Sequence, residues 1–253
     1  MWLQRAHASK IATDNTSNGC LGDSKVGISR FNIVKRLCIG LMIIGASNCQ
    51  AEGGNTLPPK PLKLAQFDHE SPSADARQIA NWVVDTNDNA GLPFIILDKK
   101  EAEVFVFHPD GRLRGAAPAL LGLAIGDHSV PGIGDRKLSA IRPDERTTPA
   151  GRFVASLDRN IHNKEILWVD YDAAISLHPV ITSNAQERRA QRLATPTPLD
   201  NRISYGCINV PADFFQHVVS AAFAGTNGIV YVLPETRPVK LFFGARDVIN
   251  PGQ

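Results

Sequence analysis

Between residues 94 and 233 the chain is a succession of short β-branched and aromatic runs, each closed off by turn-forming residues. This pattern restricts it to a mostly β fold. Phe94 to Leu97 and Val104 to Phe107 read as strands separated by the polar stretch DKKEAE. HPDG at 108–111 is a turn signal, and a further apolar run extends from Leu113 to Ile125. Residues 126–146 are rich in Gly, Asp and Pro and read as a long loop, after which TTPAGRFVASL opens with a turn and continues as a strand. Ile166 to Val169, Ala173 to Leu177 and Gly228 to Leu233 complete the strands. Two segments carry helical spacing instead. One is Ala74 to Thr86, with Ile79, Trp82 and Val83 on a face. The other begins near Pro211, with Phe214, Phe215, Val218, Ala222 and Phe223 together and Gly225 as its stop. The expected architecture is therefore a mostly β, sandwich-like domain with peripheral helices, without internal repeats or a second module.

Hydrophobic residues at 43% and charged residues at 21% exclude a disordered, collagenous or polytopic membrane chain. A net charge of +2 gives no electrostatic case for nucleic-acid binding. The segment from Arg30 to Ala51 has a basic cluster (Arg30, Lys35, Arg36), an apolar run from Leu37 to Ile44, and then small and polar residues. That is the layout of a secretory signal, and the polar leader before it points to a translation start near Val26. The apolar run is far short of the ~20 residues that span a bilayer, so no stable membrane span is expected after cleavage. Lipidation at Cys49 and an uncleaved anchor are the alternatives, and Asn48 fits a lipidation site poorly. Export to the periplasm or cell envelope follows. Removing residues 1–51 takes six of 27 basic and two of 25 acidic residues, leaving 21 against 23 and a net charge of −2. The expected division is leader and signal 1–51, flexible linker 52–73, a domain at 74–234 with its core at 93–234, and a tail at 235–253.

Cys20, Cys38 and Cys49 leave with the signal, so the exported part keeps Cys207 alone. A single thiol in an oxidising compartment cannot close an internal disulfide and is a liability unless buried or used. Cys207 follows Gly206 in a turn before the helix expected at Pro211, where a helix N-terminus would favour thiolate over thiol. Gly206 permits close backbone approach, and the N–H groups of Gly206 and Cys207 can face a developing oxyanion. A cysteine nucleophile needs a base. Among the remaining histidines, His178 ends the strand AISL before Pro179, whose restrained backbone sets a carbonyl that can accept from one ring nitrogen. The bland alternatives are a buried small hydrophobe for Cys207, a strand-end histidine for His178, and plain turn and surface residues for Asn209 and Arg202. Thr148, Pro149 and Gly151 read as a turn that starts a strand. A metal site is not supported, because Cys207 and His178 have no second cysteine and no His-x-x-x-His spacing beside them. No cofactor is expected.

SYGCIN at 204–209, preceded by a strand-terminal histidine and by TPAGRF at 148–153, resembles the YkuD-type L,D-transpeptidase catalytic domain family. Ser204, Gly206, Cys207, Ile208 and Asn209 match the family's cysteine motif. Thr148, Pro149, Gly151 and Phe153 match its upstream element, and the likeness covers roughly residues 93–234. The resemblance implies a YkuD-like β-sandwich in which Cys207 is the nucleophile and His178 the base. It makes the backbone at Gly206 and Cys207 the oxyanion site, with Ser204, Tyr205 and Asn209 in support. Two features depart from the pattern. Tyr205 stands where the family has a histidine, keeping a ring and a hydroxyl. The 25 residues between His178 and Ser204 make a longer spacer than in most members. Within it Arg188, Arg189 and Arg192 are candidates to pair with peptide carboxylates, the alternative being simply solvated loop residues, and Arg202 is a further candidate for substrate contact. The activity implied is L,D-transpeptidation of peptidoglycan stem peptides in cell-wall cross-linking, remodelling and cell shape. The alternatives are an L,D-carboxypeptidase, or a catalytically impaired peptidoglycan-binding module. Neither the acyl acceptor nor the oligomeric state is specified by the sequence.

Overall fold

The computed structural model describes residues 61–246. The expected leader and signal, Cys49 and the proposed start at Val26 lie outside the described residues. The domain is mostly β with a few short helices, in keeping with a sandwich of the expected class. Its strands are β1 (Phe94–Asp98), β2 (Glu103–Phe107), β3 (Leu113–Pro118), β4 (Leu121–Gly122), β5 (Gly151–Arg159), β6 (Glu165–Asp170), β7 (Ile175–Pro179), β8 (Arg202–Ser204), β9 (Ile208–Val210) and β10 (Gly228–Val232). Eight of them form one sheet in the order β3-β2-β1-β10-β5-β6-β7-β9, and β4 pairs with β8.

Period-two alternation sorts the side chains of the first half of the sheet onto two faces. Phe94 and Ile96, Phe105 and Phe107, and Ile229 and Tyr231 pack beneath helix α1 (Ala74–Thr86) through its Ile79, Ala80 and Val83. Their neighbours Ile95, Leu97, Val104, Val106, Val230 and Val232 face the opposite way. There they share a core with Leu167, Val169, Leu177, Ile208 and Val210 of β6, β7 and β9. One continuous hydrogen-bonded sheet thus supplies both walls of the sandwich. β5 makes this geometry: Gly151 to Ala155 pair with β10, while Ser156 to Arg159 pair with β6. A helical run at 212–223 closes this core with Phe215, Val219 and Phe223. Its central turn, Phe215–Ser220, is π-wound.

Helix α1 spans the expected residues. Ser73 caps it by accepting from the Ala76 N–H at 3.1 Å, and Asn87 ends it in the left-handed region. The described parts of the two flanking segments, 61–73 and 235–246, hold more structure than a linker and a tail imply. In the expected linker, Gln66 pairs with Arg112, and Phe67 is buried edge-on against Phe105 and Phe107. Burying a Phe is worth about 1.5–3 kcal/mol, enough to fasten a few residues of otherwise polar chain. In the expected tail, a helical turn at Val239–Phe243 buries Val239 in the same cluster. The long loop at 126–146 holds three 3-10 turns, and the spacer before Ser204 contains helix α2 (Arg189–Ala194). The domain therefore has more than the two helices expected, the extra ones being too short to leave a periodic signature.

Candidate active site

In β7, Ile175 and Leu177 point into the core, which sends Ser176 and His178 to the other face. β9 runs parallel beside β7, with Leu177 opposite Ile208 and His178 opposite Asn209. Cys207, immediately before β9, is thereby set beside Ser176. Its Sγ lies 3.7 Å from the Ser176 hydroxyl and 3.7 Å from the Ala174 carbonyl. Cys207, Ser176 and His178 line one cleft of about 600 Å³, with Ser204, Tyr205 and Asn209.

The turn carrying Cys207 is held from within and from behind. Gly206 adopts φ +127, and a Cβ there would sit 2.7 Å from both Ile175 Cδ1 and the Thr147 carbonyl oxygen. The turn therefore requires glycine. Ser204 Oγ donates to the Cys207 carbonyl at 2.6 Å and accepts from the Gly206 N–H at 3.0 Å. Asn209 Nδ2 donates to the Cys207 carbonyl at 3.2 Å. Behind the turn, Thr148 Oγ1 donates to the Gly206 carbonyl at 2.8 Å and accepts from the Gly122 N–H at 2.9 Å. Thr148, read from the sequence as a simple turn residue, is the clamp on the cysteine loop.

His178 Nδ1 lies 2.8 Å from the Pro179 carbonyl. That oxygen can only accept, so Nδ1 carries the proton and Nε2 keeps its lone pair. Burial lowers the His178 pKa and favours the neutral ring. The Pro179 bond opposes this, and the charge of Arg189 adds to it. Burial pushes the Cys207 thiol up, against the backbone N–H and hydroxyl of Ser176 and the charge of Arg189, which pull it down. Both shifts favour the neutral imidazole and the thiol.

Several site expectations change at this point. Cys207 leads into a strand, and the helical run starts only at residue 212, so no helix N-terminus acts on the thiol. The Gly206 N–H is already bonded to Ser204, which removes it as an oxyanion donor. Arg202 faces away from the cleft. It pairs with Glu235 and donates to the Lys99 carbonyl at 2.8 Å. Arg188 is exposed, with φ +49, and does not line the cleft. Its neighbour Arg189 does. Tyr205 lies at the cleft wall beneath Arg146, whose guanidinium carbon is 3.9 Å from the ring centroid, so the ring is occupied by a cation on one face. Arg146 and Ser176 were missed from the sequence. For Ser176 the signal existed, since it sits two residues before His178 on an alternating strand. Among the described residues no group of three or more His, Cys, Asp or Glu side chains is placed to hold a metal ion.

No protein-family model matches the sequence, and no curated protein does either. Similar solved structures include the catalytic domain of an L,D-transpeptidase from E. faecium, at 17% identity over 56% of this chain and 96% of that one, with a TM-score of 0.33. A mutant of the helical cell shape determining protein Pgp2 from Campylobacter jejuni is 14% identical, with a TM-score of 0.38, over 66% of this chain and 58% of its own. An L,D-transpeptidase from Xylanimonas cellulosilytica is 15% identical, with a TM-score of 0.32, over 56% of this chain and 60% of its own.

Proposed function

We propose that the protein is an exported cysteine acyltransferase that acts on peptidoglycan stem peptides by L,D-transpeptidation. The observation that carries this reading is a thiol and an imidazole placed in one cleft. A thiol sits in a glycine-dependent turn, and an imidazole on the neighbouring strand has Nδ1 tied to a carbonyl and Nε2 left as a base. The SYGCIN and TPAGRF motifs meet there through the Thr148 to Gly206 bond.

In the proposed reaction His178 Nε2 takes the Cys207 proton as Sγ attacks the carbonyl carbon of the L-to-D peptide bond. The oxyanion faces the N–H of Cys207 itself. Collapse breaks the C–N bond, and the imidazolium returns the proton to the departing D-alanine amine, leaving a thioester. An acceptor amine, deprotonated by His178, then attacks the thioester, forming the new amide and restoring the thiol. Water in place of the amine gives carboxypeptidase activity.

Incubation with purified tetrapeptides tests the reading. Free D-alanine should appear together with cross-linked dimer or tripeptide, and Cys207→Ala should abolish both. A carbapenem should add covalently at Cys207, seen by mass spectrometry. Peptide binding without an adduct and without D-alanine would identify a binding module instead.

A further inference from the structure

The long spacer between His178 and Ser204 has a definite product: it brings one guanidinium to the nucleophile. The segment is braced internally. Asn184 Oδ1 accepts from the Gln186 N–H at 3.1 Å, Arg192 Nε donates to the Glu187 carbonyl at 2.9 Å, and Arg192 Nη1 donates to the Asp200 carbonyl at 2.7 Å. Arg192 is thus spent on holding the segment's shape, and Arg188 lies outside the cleft. Arg189 is left facing inward, its side chain only 12% exposed.

Two bonds fix that guanidinium. Nε donates to Glu187 Oε2 at 2.5 Å, and Nη1 donates to Asn209 Oδ1 at 2.7 Å. Asn209 is fully buried and its Nδ2 holds the Cys207 carbonyl, so Arg189 stands two hydrogen bonds from the peptide unit of the nucleophile. Nη2 makes no hydrogen bond among the described residues. A planar guanidinium held on two sides, with a donor group left over in a cleft, matches a carboxylate in charge and shape. The other acidic group at this wall, Glu165, is taken by Ser220 at 2.5 Å.

We infer that Arg189 forms a carboxylate subsite, taking the free C-terminal carboxylate of the residue that leaves the acyl donor. That carboxylate lies two bonds from the departing nitrogen, which places it beside the nucleophile, where the guanidinium stands. The inference rests on the acyl-donor reading of the cleft and names Arg189, of the spacer, as the residue that would hold the donor's terminal carboxylate.

The test is binding, measured by titration calorimetry on full-length Cys207→Ala protein. It compares a tetrapeptide ending in a free carboxylate with the same peptide ending in an amide. The acid should bind about tenfold more tightly, the order expected for one charge-assisted contact. Arg189→Gln should bring the two within about twofold, and Arg189→Lys should restore part of the preference. Equal binding of acid and amide with Arg189 intact overturns the subsite without recourse to any Arg189 variant, and so does a preference that survives in Arg189→Gln. Turnover of the tetrapeptide by the unmodified protein separates the two claims. Acid preference without D-alanine release leaves the subsite standing and overturns acyl transfer. D-alanine release without acid preference does the reverse. Failure of both peptides to bind overturns both.

Discussion

A thiol kept protonated by burial has to lose its proton to His178 as it attacks, and this gives Cys207 a distinctive pH signature. An ordinary cysteine ionises near pH 8.5. Desolvation raises Cys207 above that value, so its alkylation by iodoacetamide should climb with pH through a midpoint on the alkaline side of 8.5. The Ser176 hydroxyl is one of the groups that lower the Cys207 pKa, so Ser176→Ala should move the midpoint further up. Alkylation followed by mass spectrometry across pH 6–11 reads both, and a midpoint near 7 would contradict the upward shift. Gly206→Ala addresses the turn rather than the proton. At φ +127 and with a Cβ 2.7 Å from the Thr147 carbonyl oxygen, alanine should cost about 1–3 kcal/mol. It should also slow alkylation at fixed pH, because relief of the clash moves the residue before the nucleophile. Unchanged melting and unchanged alkylation would mean that the turn tolerates a side chain.

At the scale of elements, the hairpin of β1 and β2 carries an electrostatic cost that its partners reveal. Asp98 stands opposite Glu103 across the pair. Burial first, then the charges of Glu70, Asp98 and Glu101, raise the Glu103 pKa to about 7. Because the folded value lies above the unfolded one of about 4.3, the native state holds an extra proton between them. Its contribution to stability is full below about pH 4.3 and is lost as pH rises through about 7. Glu103→Gln should therefore raise the unfolding free energy measured by urea titration at pH 8, by about 0.5–1 kcal/mol, and leave it unchanged at pH 4. The same hairpin shows what the sequence made legible. FIIL and VFVF identify their strands by run length and residue type, and helix α1 by spacing and its Ser73 cap. Cys207 and His178 were legible because their chemistry is rare and their neighbours, Gly206 and Pro179, shape the backbone. Arg189 was one of three arginines with nothing local to separate them. Its role depends on Asn209, 20 residues away, and on the path of the spacer. The helix expected to bear on Cys207 misled because a three-residue strand, Ile208–Val210, comes first, and INV is too short to declare itself.

At the scale of the whole molecule, a buried charge cluster joins segments far apart in the chain and supports the nucleophile from behind. Lys99, in the stretch DKKEAE that reads as a polar connector, is fully buried. Its Nζ donates to the Gly126 carbonyl at 2.6 Å, to Asp127 Oδ1 at 2.9 Å and to the Thr148 carbonyl at 2.9 Å. Glu235 Oε1 stands 3.4 Å from it, and Arg202 pairs with Glu235. With Arg237 Nε 3.9 Å from Asp127 Oδ2, three cations thus meet two carboxylates. Burial alone would raise Asp127, but donors from Thr236, the Glu235 N–H and Lys99 hold its carboxyl far below the usual range. The stability it contributes is full above the unfolded value of about 3.9 and is lost only as pH falls toward the depressed folded value. Removing Lys99 leaves Asp127 and Glu235 buried with one cation fewer, the situation in which a broken internal ion pair costs about 3–5 kcal/mol. Lys99→Met should therefore lower the melting temperature by roughly 6–20 °C at pH 7. The Thr148 carbonyl binds Lys99 while its hydroxyl binds Gly206, so the loss should reach the site as well. In Lys99→Met the alkylation of Cys207 should slow at temperatures where the protein remains folded. A fall in melting temperature with unchanged alkylation would confine the cluster to stability. Slowing of both would make it the rear support of the cysteine turn, joining the loop at 126–127 and residue 235 to the reactive thiol.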